Sequence, residues 1–497
     1  MKDDPQLKTP LFDALVSLAK SRKTSFHTPG HKSGKGISTR FRKFVGPKIF
    51  SIDLTTLDEI DSLQQPRGVI KASQALAAEA YGAEHSFFLV NGTTGGNHAM
   101  ILAACAPGAR VLVARNAHRS VIAGLLFSGA RPVFFSPEIR NDLKVQWNVS
   151  LQAVKKSVER YPEAKVLILT SPNYHGISAD LPGIIRYAHE KGIVVLVDEA
   201  HGPHLHFHPD LPVSAMAAGA DLSVQSTHKI IGGMTQASML HARSGRVDIP
   251  ALSSVLKLTQ STSPSYILMA SLDLARMQMA TEGRKLLDKA IHLAEEGRAK
   301  INQIPGLFCF GPDALLEHGA WAMDVTKLTI SVENLGLTGF QVSHMLNCDY
   351  HIQVEMADTV HVLVIVSIGD RQEDLDHLVQ SLWDISKQYA GGMEKRLFPH
   401  DLNPPPLPEK SVSPPREAFF QARTYVDLTD AAGKVASQIV TVYPPGIPVL
   451  IPGEVITTEI ATYFKRILSV GATVDGLEED RRIAVVEEDG IESQATH

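Results

Sequence analysis

A lysine just beyond a short apolar segment is a candidate for covalent chemistry. Lys229 stands in SVQSTHKIIGG (223–233), just beyond the apolar run DLSV (221–224), with His228 beside it. Most lysines are surface residues, but a lysine held in a cleft among other cations can have a lowered pKa and act as a Schiff-base nucleophile. The position of Lys229 therefore indicates a candidate nucleophile.

A carboxylate stands at the end of another apolar segment. Asp198 closes the apolar part of VLVDEAHG (195–202). Open α/β sheets bind their ligands at the carboxyl ends of the strands, so this position suits a carboxylate that contacts a ligand. An aspartate at a strand end can equally cap the next segment, or bind magnesium or ribose hydroxyl groups. The residue alone leaves these alternatives open.

A glycine- and threonine-rich run could hold a phosphate group. FFLVNGTTGGNHAMILAA (87–104) reads as a strand, then the run from Asn91 to Gly96, then a helix. Gly92 lets the backbone approach an anion, Thr93 and Thr94 can donate hydrogen bonds, and a helix N-terminus offers unpaired N–H groups. The run has neither the Gly-Lys-Ser/Thr of a P-loop nor the spacing of a dinucleotide fold. By itself it could also be a plain tight turn.

The three elements together point to one cofactor. A phosphate cradle, a carboxylate able to pair with a pyridinium nitrogen and a lysine able to form a Schiff base are what pyridoxal phosphate requires. His118, in VARNAHRS after the next strand, is placed at the same sheet edge and could stack on the pyridine ring. A lone histidine is usually structural, so this assignment depends on the other three.

Short apolar runs, separated by segments long enough to form helices, predict the strands that position these residues. We expect buried parallel strands of a doubly wound α/β domain at SFFLV (86–90), RVLVA (110–114), RPVFF (131–135), KVLIL (165–169), GIVVLV (192–197) and DLSV (221–224). The helix signal Leu181-Pro182-Gly183 after one burst fits the alternation of strands and helices. A long helix over 265–303 then precedes strands at 326–332 and 361–368 of a smaller α+β unit.

The segment 399–415 holds seven prolines and predicts a stiff, extended linker. We therefore divide the chain into an N-terminal arm and loop (1–50), a large cofactor-binding domain (51–264), a linking helix with a small α+β domain (265–398), the linker (399–415) and a C-terminal α+β domain (416–497).

Composition excludes several classes of protein. The chain has 497 residues, 44% of them hydrophobic and 20% charged, and a formal net charge of −5. These values argue against long disorder and against a nucleic-acid binder held by a basic surface. Three scattered cysteines favour a reducing cytoplasm, and no apolar stretch is long enough to cross a membrane. We expect a cytoplasmic globular protein with no nucleic-acid or membrane partner.

Four histidines in HGPHLHFH invite a metal hypothesis: His201, His204, His206 and His208. Imidazoles are common zinc ligands, and three of these residues alternate along one stretch. No cysteine lies nearby, and Asp198 already has a role toward the cofactor. We therefore expect no metal.

The chain resembles a known family, the Orn/Lys/Arg decarboxylases of pyridoxal phosphate fold type I, which have an aspartate-aminotransferase-like large domain with a mainly parallel sheet. The motifs that carry the resemblance run from about residue 8 to about residue 476: FHTPGHKSGKG, SIDLTTLDEID, QPRGVIKASQALAAEAYGAEHSFFLVNGTTGGN, RNAHRS, SPNYHG, VDEAHGPHLHFH, STHKIIGGMTQASML, TSPSYILMASLDLAR and YPPGIPVLIPGE. The length and the wording of HFHPDLPVSAMAAGAD are similar to the short bacterial arginine decarboxylases of polyamine synthesis.

The resemblance implies a role for each candidate residue. Lys229 would join the cofactor covalently, and Asp198 would keep its pyridinium nitrogen protonated. Phosphate would be bound by Thr93, Thr94 and Ser226 beside Gly92. His118 would stack on the ring, His201 would lie near the cofactor, and His228 would touch the phosphate or help proton transfer. Glu454, in the turn IPGE, would meet the distal cation of the substrate.

The implied reaction is decarboxylation of a basic amino acid, L-arginine to agmatine in first place, with L-lysine and L-ornithine as rival substrates. After CO2 leaves, His228, His201 or Lys229 could return the proton to Cα. An aminotransferase of the same fold would need an arginine that clamps the substrate carboxylate, for which Arg371 and Arg396 are available. The resemblance also implies a homodimer or larger assembly with the active site at the subunit interface, where 262–265 would reach the partner's phosphate.

Overall fold

The computed structural model describes residues 4–21, 23–315, 320–389, 405–408, 410–443 and 446–487. The chain divides into two compact units, the first made of Met1–Ala104 and Val194–Asp288 and the second of Cys105–Ile193 and Lys289–His497. Each unit thus combines two separate stretches of chain. The domain boundaries predicted from the sequence stay predictions, and part of the predicted linker lies outside the described residues.

The helices of the described ranges follow in chain order. They are α1 (Pro10–Lys20), α2 (Thr39–Val45), α3 (Val69–Ala80), α4 (Gly92–Ala104), α5 (Arg119–Ser128), α6 (Leu151–Arg160), α7 (Leu181–Glu190), α8 (Ala215–Ala218), α9 (Thr227–Ile230), α10 (Ile249–Thr259), α11 (Tyr266–Ile301), α12 (Gly339–Asp349), α13 (Gln372–Tyr389), α14 (Pro415–Phe420) and α15 (Thr458–Ser469). None of these helices is both long and apolar enough to cross a membrane.

The strands, again of the described ranges, are β1 (His85–Leu89), β2 (Arg110–Ala114), β3 (Arg131–Phe135), β4 (Ile139–Arg140), β5 (Val145–Gln146), β6 (Val166–Thr170), β7 (Ile177–Ala179), β8 (Val194–Asp198), β9 (Leu222–Gln225), β10 (Ser238–Ala242), β11 (Phe308–Cys309), β12 (Ala320–Met323), β13 (Lys327–Ser331), β14 (Met356–Ala357), β15 (His361–Ile365), β16 (Arg423–Asp427), β17 (Val440–Tyr443), β18 (Pro448–Leu450), β19 (Thr473–Asp475) and β20 (Arg482–Val486).

The first unit contains strands in the order β1-β10-β9-β8. β8 and β9 are parallel, with Asp198 opposite Val224. β10 is antiparallel to both of its neighbours, β9 and β1. A strand was correctly predicted at 86–90, but the prediction that it is parallel to its neighbour was wrong. β1 pairs antiparallel with β10, a strand that the apolar pattern did not indicate. The carboxyl ends of β8 and β9 nevertheless lie at one edge, as the sequence predicted.

The core of the first unit lies among α1, α3 and the first part of α11. Leu11, Leu15, Ile70 and Tyr266 are fully buried there. The N-terminus of α1 is fixed by a buried carboxylate, since the backbone N–H of Leu11 donates to Asp273 at 3.0 Å. Part of the predicted N-terminal arm is thus a helix that packs into this core.

In the second unit, β6, β2 and β3 form a parallel group in that order. β2 and β3 coincide with the predicted segments 110–114 and 131–135. Further along the chain, β11, β13, β15 and β14 form an antiparallel sheet packed on α12 and α13. The C-terminal region has its own core, in which α15 packs on strands that include β17 and β18. These elements fit the predicted small and C-terminal α+β regions.

Candidate active site

Asp198, the last residue of β8, is held in a buried position by two hydrogen bonds. Its side chain is 2% exposed. The side-chain amide of Asn97, on α4, donates to Oδ2 at 2.8 Å, and the backbone N–H of Ala200 donates to Oδ1 at 3.1 Å. Two donors on different oxygens fix the direction of the carboxylate. Asp198 is therefore suited to face a cation.

Lys229 lies on the single turn α9, which follows β9 after Ser226. Its Nζ lies 2.7 Å from Nε2 of His201, which is buried. In such a contact one nitrogen donates and the other accepts, so a protonated lysine requires an unprotonated Nε2. The structure thus brings together two residues that the sequence singled out, a candidate nucleophile and a candidate for proton transfer.

The glycine- and threonine-rich run is the first turn of α4 and not a loop before it, which corrects the prediction. α4 begins at Gly92, whose φ of +64° is a conformation that other residues rarely adopt. Thr93 is buried and its hydroxyl lies 2.5 Å from that of Ser226 and 3.3 Å from that of Ser238, whereas Thr94 is exposed. The hydroxyl groups therefore gather beside a helix N-terminus, where the backbone N–H groups have no acceptor within the helix.

Gly96 explains why a glycine-rich segment is helical here. A Cβ at this position would lie 2.2 Å from Cγ2 of Val224 and 2.7 Å from Cδ1 of Leu89. Only glycine allows α4 to approach β1 and β9 this closely. The tight packing outweighs the low helix propensity of glycine and sets the helix N-terminus at the strand ends.

His228 is oriented by the backbone. Its Nδ1 lies 3.0 Å from the carbonyl oxygen of Ala237, which can only accept, so Nδ1 carries a proton. The ring is half-buried. Its predicted contact with phosphate stays a prediction.

His118 belongs to the second unit, as the N-cap of α5. Its Nδ1 accepts from the backbone N–H of Ser120 at 3.2 Å, which places the proton of a neutral ring on Nε2. The Ser120 hydroxyl lies 2.8 Å from the same nitrogen. The predicted stacking of His118 on a cofactor ring stays a prediction.

Glu454 also lies in the second unit and is buried against Arg115. Nε of Arg115 donates to Oε1 at 3.3 Å and its NH2 group donates to Oε2 at 3.1 Å. Burial raises the pKa of the Glu454 carboxyl, and the Arg115 charge opposes that change. Both carboxylate oxygens accept from Arg115, and the predicted contact with a substrate cation stays a prediction.

The sequence reasoning missed Asn97 and Ser238. Each contacts a predicted site residue: Asn97 donates to Asp198, and the Ser238 hydroxyl contacts that of Thr93. Asn97 directly follows the glycine run, and it lies four residues after Thr93 on α4, so both side chains are on one face of the helix. That spacing was the one available signal.

A buried polar network behind Asp198 was missed as well. The carboxylate of Glu199 accepts from the backbone N–H of Ala215 and from the side chains of Ser223 and Gln225. Desolvation raises the pKa of Glu199 to about 7 in spite of these bonds. Nε2 of His241 lies 3.2 Å from the Gln225 side-chain oxygen, and burial lowers the pKa of His241 to about 3. The network joins the residue after β8 to side chains of β9 and β10.

Three of the four histidines of the metal hypothesis contact different residues. His201 contacts Lys229, Nδ1 of His206 lies 3.3 Å from the Ser214 hydroxyl, and Nε2 of His208 lies 2.8 Å from Asp288. No group of three or more His, Cys, Asp or Glu side chains that could hold a metal ion occurs in the described part of the chain.

The donor set of the first unit fits pyridoxal phosphate. Two buried hydroxyls, of Thr93 and Ser226, lie beside a helix N-terminus and suit a phosphate dianion. The hydroxyl of Thr227, next in the chain, is buried and has no hydrogen-bond partner among the described residues, so it too is available to a ligand. Asp198 provides a fixed carboxylate for a ring nitrogen, and Lys229 provides an amine.

Comparison with known families gives two matches that together cover most of the chain. The sequence model of the Orn/Lys/Arg decarboxylase major domain matches residues 9–374, and that of the Orn/Lys/Arg decarboxylase C-terminal domain matches residues 401–495.

Two curated relatives illustrate the range of similarity. Arginine decarboxylase of Bacillus subtilis (strain 168) is 43% identical over 476 residues, which are 95% of this chain and 96% of that protein. The constitutive lysine decarboxylase of Escherichia coli (strain K12) is 25% identical over 578 residues, with 97% of this chain and 80% of that protein covered.

Solved structures show the same fold. The lysine decarboxylase LdcF of Francisella novicida superposes with a TM-score of 0.87 at 22% identity, over 97% of this chain and 82% of that one. An alanine–glyoxylate aminotransferase of Nostoc sp. gives a TM-score of 0.53 at 19% identity, over 65% of this chain and 88% of that one. The predicted α/β fold of the aspartate-aminotransferase type is confirmed.

Proposed function

This chain belongs to the Orn/Lys/Arg decarboxylase family, whose members are carboxy-lyases, and on that premise we propose that it converts L-arginine to agmatine and CO2 with bound pyridoxal phosphate. The observation that carries the proposal is the set of contacts around α4, β8 and β9. On one face of α4, Thr93 contacts Ser226 and Asn97 donates to Asp198. On the turn after β9, Lys229 contacts His201.

When bound, pyridoxal phosphate supplies a sink for the electron pair that the departing carboxyl group leaves on Cα. Lys229 would hold the cofactor through its amine, which lies on the turn after β9. Asp198 keeps the ring nitrogen protonated, and each pKa unit of that stabilisation corresponds to about 1.4 kcal/mol. Asn97 and the Ala200 N–H hold the Asp198 carboxylate in one orientation while it does so.

The phosphate is bound by Thr93 and Ser226, with Thr94 and the backbone at Gly92 completing the cradle. This arrangement is supported by the 2.5 Å contact between the first two hydroxyls at the start of α4. The positive end of the helix dipole adds to the attraction for a dianion. The close approach of Gly96 to Val224 fixes the position of α4, which carries Thr93 and Thr94.

The proton that replaces the carboxyl group on Cα comes from the pair of Lys229 and His201. Their 2.7 Å contact supports this assignment, since a proton can pass between the two nitrogens without an intervening water. His228 is the remaining candidate, and its Nδ1 proton is already engaged with the Ala237 carbonyl oxygen.

Arginine is proposed before lysine because of the relatives. Four proteins named arginine decarboxylase, from Bacillus and Halalkalibacterium, are 42–43% identical, whereas the proteins named lysine decarboxylase are 25–26% identical. An aminotransferase finds less support, because the matching family and the named relatives are decarboxylases and Arg371, just before α13, is exposed. Arg396 lies outside the described residues.

The test is turnover of L-arginine, L-lysine and L-ornithine measured side by side with the purified protein and pyridoxal phosphate. We expect one equivalent each of CO2 and agmatine from arginine, no keto acid, and the highest kcat/KM for arginine. A higher kcat/KM for lysine would overturn the substrate assignment, and a keto acid product would overturn the reaction.

We also propose a cytoplasmic homodimer or larger assembly. The proposal is supported by the exposed Thr262 and Ser263, polar residues in the segment predicted to reach the partner's phosphate. Light scattering after size-exclusion chromatography tests it, and a monomer that is fully active would contradict it.

A further inference from the structure

The ion pair of Arg115 and Glu454 joins two distant parts of the second unit. Arg115 directly follows β2, and Glu454 lies 339 residues further along the chain, just after β18. The side chain of Arg115 is 4% exposed and that of Glu454 is 6% exposed. A buried ion pair is weak evidence for stability but a strong constraint on geometry, because each charge must keep its partner.

Arg115 is fixed by four acceptors. Besides both Glu454 oxygens, it donates to the carbonyl oxygens of Pro448 at 2.6 Å and Val449 at 3.0 Å. Glu454 is fixed in turn, since its Oε2 accepts from the backbone N–H of Ile451 at 2.7 Å. The planar fork of the guanidinium matches this arrangement, and neither side chain can turn without breaking several bonds.

A second attachment lies at Arg119, at the far end of the loop that follows Arg115. The backbone N–H of Arg119 donates to the carbonyl oxygen of Gly446 at 3.0 Å, and the Arg119 side chain pairs with Asp475. The loop residues 116–118 therefore lie between two attachments to residues 446–475, a part of the C-terminal region. We call this arrangement the two-point clamp.

Asn116, in the loop 116–118, has a buried side chain that is a candidate to contact a ligand. It is 3% exposed, and neither its side-chain nitrogen nor its side-chain oxygen has a hydrogen-bond partner among the described residues. A buried amide without partners is costly, so such a group is expected to meet a ligand or water in the working protein. His118, the proposed ring-stacking residue, stands two residues later in the same loop.

We propose that Glu454 acts through Arg115 as a positioning residue, which holds Asn116 and His118 in the orientation that the cofactor needs, and that it does not bind the substrate cation. The inference rests on the proposed function, since it presumes that His118 meets the cofactor. It gives the C-terminal region a task in cofactor binding in addition to its own fold.

The test compares Glu454→Gln with Glu163→Gln. Glu163 pairs with Arg110, at the opposite end of β2, and both side chains are exposed. The control therefore removes an Arg–Glu ion pair at the same strand without affecting the loop 116–118. We expect Glu454→Gln to weaken pyridoxal phosphate binding by about tenfold, within the usual range of coupling between sites, and to change the visible absorbance of the bound cofactor. The KM for arginine, measured at saturating cofactor, should stay within about twofold of the wild-type value. Glu163→Gln should match the wild type in all three.

A double-mutant cycle with His118→Ala separates positioning from general loss of structure. If Glu454 acts through the loop, the effect of Glu454→Gln on cofactor affinity should be smaller when His118 is already alanine, because only Asn116 is then left to position. Additive effects of the two changes would contradict the proposal. Should Glu454→Gln not fold, as judged by circular dichroism, Arg115→Lys replaces it, because a lysine keeps the charge but cannot satisfy four acceptors.

The remaining outcomes are distinct. An unchanged cofactor affinity together with a raised KM for arginine would show that Glu454 binds the substrate cation and would overturn the inference. Wild-type values for Glu454→Gln throughout would overturn it as well. A wild-type protein that fails to bind pyridoxal phosphate would overturn the proposed function first, and the inference with it.

Discussion

The Nζ atom of Lys229 lies 2.7 Å from Nε2 of His201, although 28 residues separate them in the chain. β8 leads to His201 and β9 leads to Lys229, and the two strands are parallel neighbours. The contact is therefore a direct product of the sheet order. It places a proton acceptor against the amine that we propose as the covalent attachment point of the cofactor.

His201→Gln should lower kcat and leave the cofactor attached to Lys229. Glutamine keeps a polar side chain but cannot take up and return a proton, and loss of a general acid–base group typically costs about 10²- to 10⁴-fold in rate. CO2 release measures kcat, and visible absorbance measures cofactor attachment. The matched control is His206→Gln, a half-buried histidine of the same segment that contacts Ser214. Equal rates for the two variants would argue against a role for His201 in proton transfer.

Asn97→Ala should reduce kcat by about tenfold, because the buried carboxylate of Asp198 loses one of its two donors and holds the ring-nitrogen proton less well. Asp198→Asn should reduce kcat much further, since it removes the charge itself. The arginine KM of Asn97→Ala should change little. A rate for Asn97→Ala equal to that of the wild type would mean that the Ala200 N–H alone is enough to orient Asp198.

Glu199 should make the protein less stable as the pH rises. Burial raises its pKa to about 7 in the folded protein, against an ordinary value of 4.5. The folded state then holds the proton more tightly than the unfolded state. The resulting stabilisation is complete below 4.5, and it declines as the pH rises and is lost once the pH has passed through about 7.

Glu199→Gln should therefore flatten this pH dependence. The measurement is the midpoint of thermal unfolding of the full chain at about pH 5 and about pH 8 in both proteins, compared as a difference between the two pH values. Glu163→Gln, an exposed change, should leave the wild-type difference intact. An unchanged difference in Glu199→Gln would show that another group titrates in this range.

Asp61→Ala should destabilise the first unit. The Asp61 carboxylate accepts from the backbone N–H groups of Arg67, Gly68 and Ile70, and so it caps the N-terminus of α3. Losing these bonds should lower the free energy of unfolding by about 2 kcal/mol, as for other helix caps. Urea unfolding measures the change. Asp58→Ala is the control, because that side chain is exposed, and a similar loss in both variants would contradict the capping role.

The sequence predicted those elements whose apolar residues form an unbroken run or recur at helical spacing. β2 and β3 coincide with their predicted segments, and α11 differs from the predicted 265–303 by two residues or fewer at each end. β10 was missed because Ser238 and His241 interrupt its apolar pattern. His241 is buried through side-chain contacts with Ser86 and Gln225, which lie 155 and 16 residues away and which no local pattern reveals.

The candidate site shows the same limit. Lys229 and Asp198 could be found because each follows an apolar run, and strand ends mark the ligand edge of a sheet. Asn97 and Ser238 owe their positions to helix–sheet packing. The start of α4 was read as a loop because glycine disfavours helices, whereas Gly96 is required by its closeness to Val224. Contacts between distant segments decided both cases.

Borohydride reduction of the protein with pyridoxal phosphate, followed by peptide mass spectrometry, tests the central claim most directly. Reduction fixes the cofactor to the amine that it has joined, so the label identifies that amine. We expect a single labelled peptide that contains Lys229, and no label in Lys229→Ala. A label on another lysine, or an unlabelled Lys229 at saturating cofactor, would contradict it.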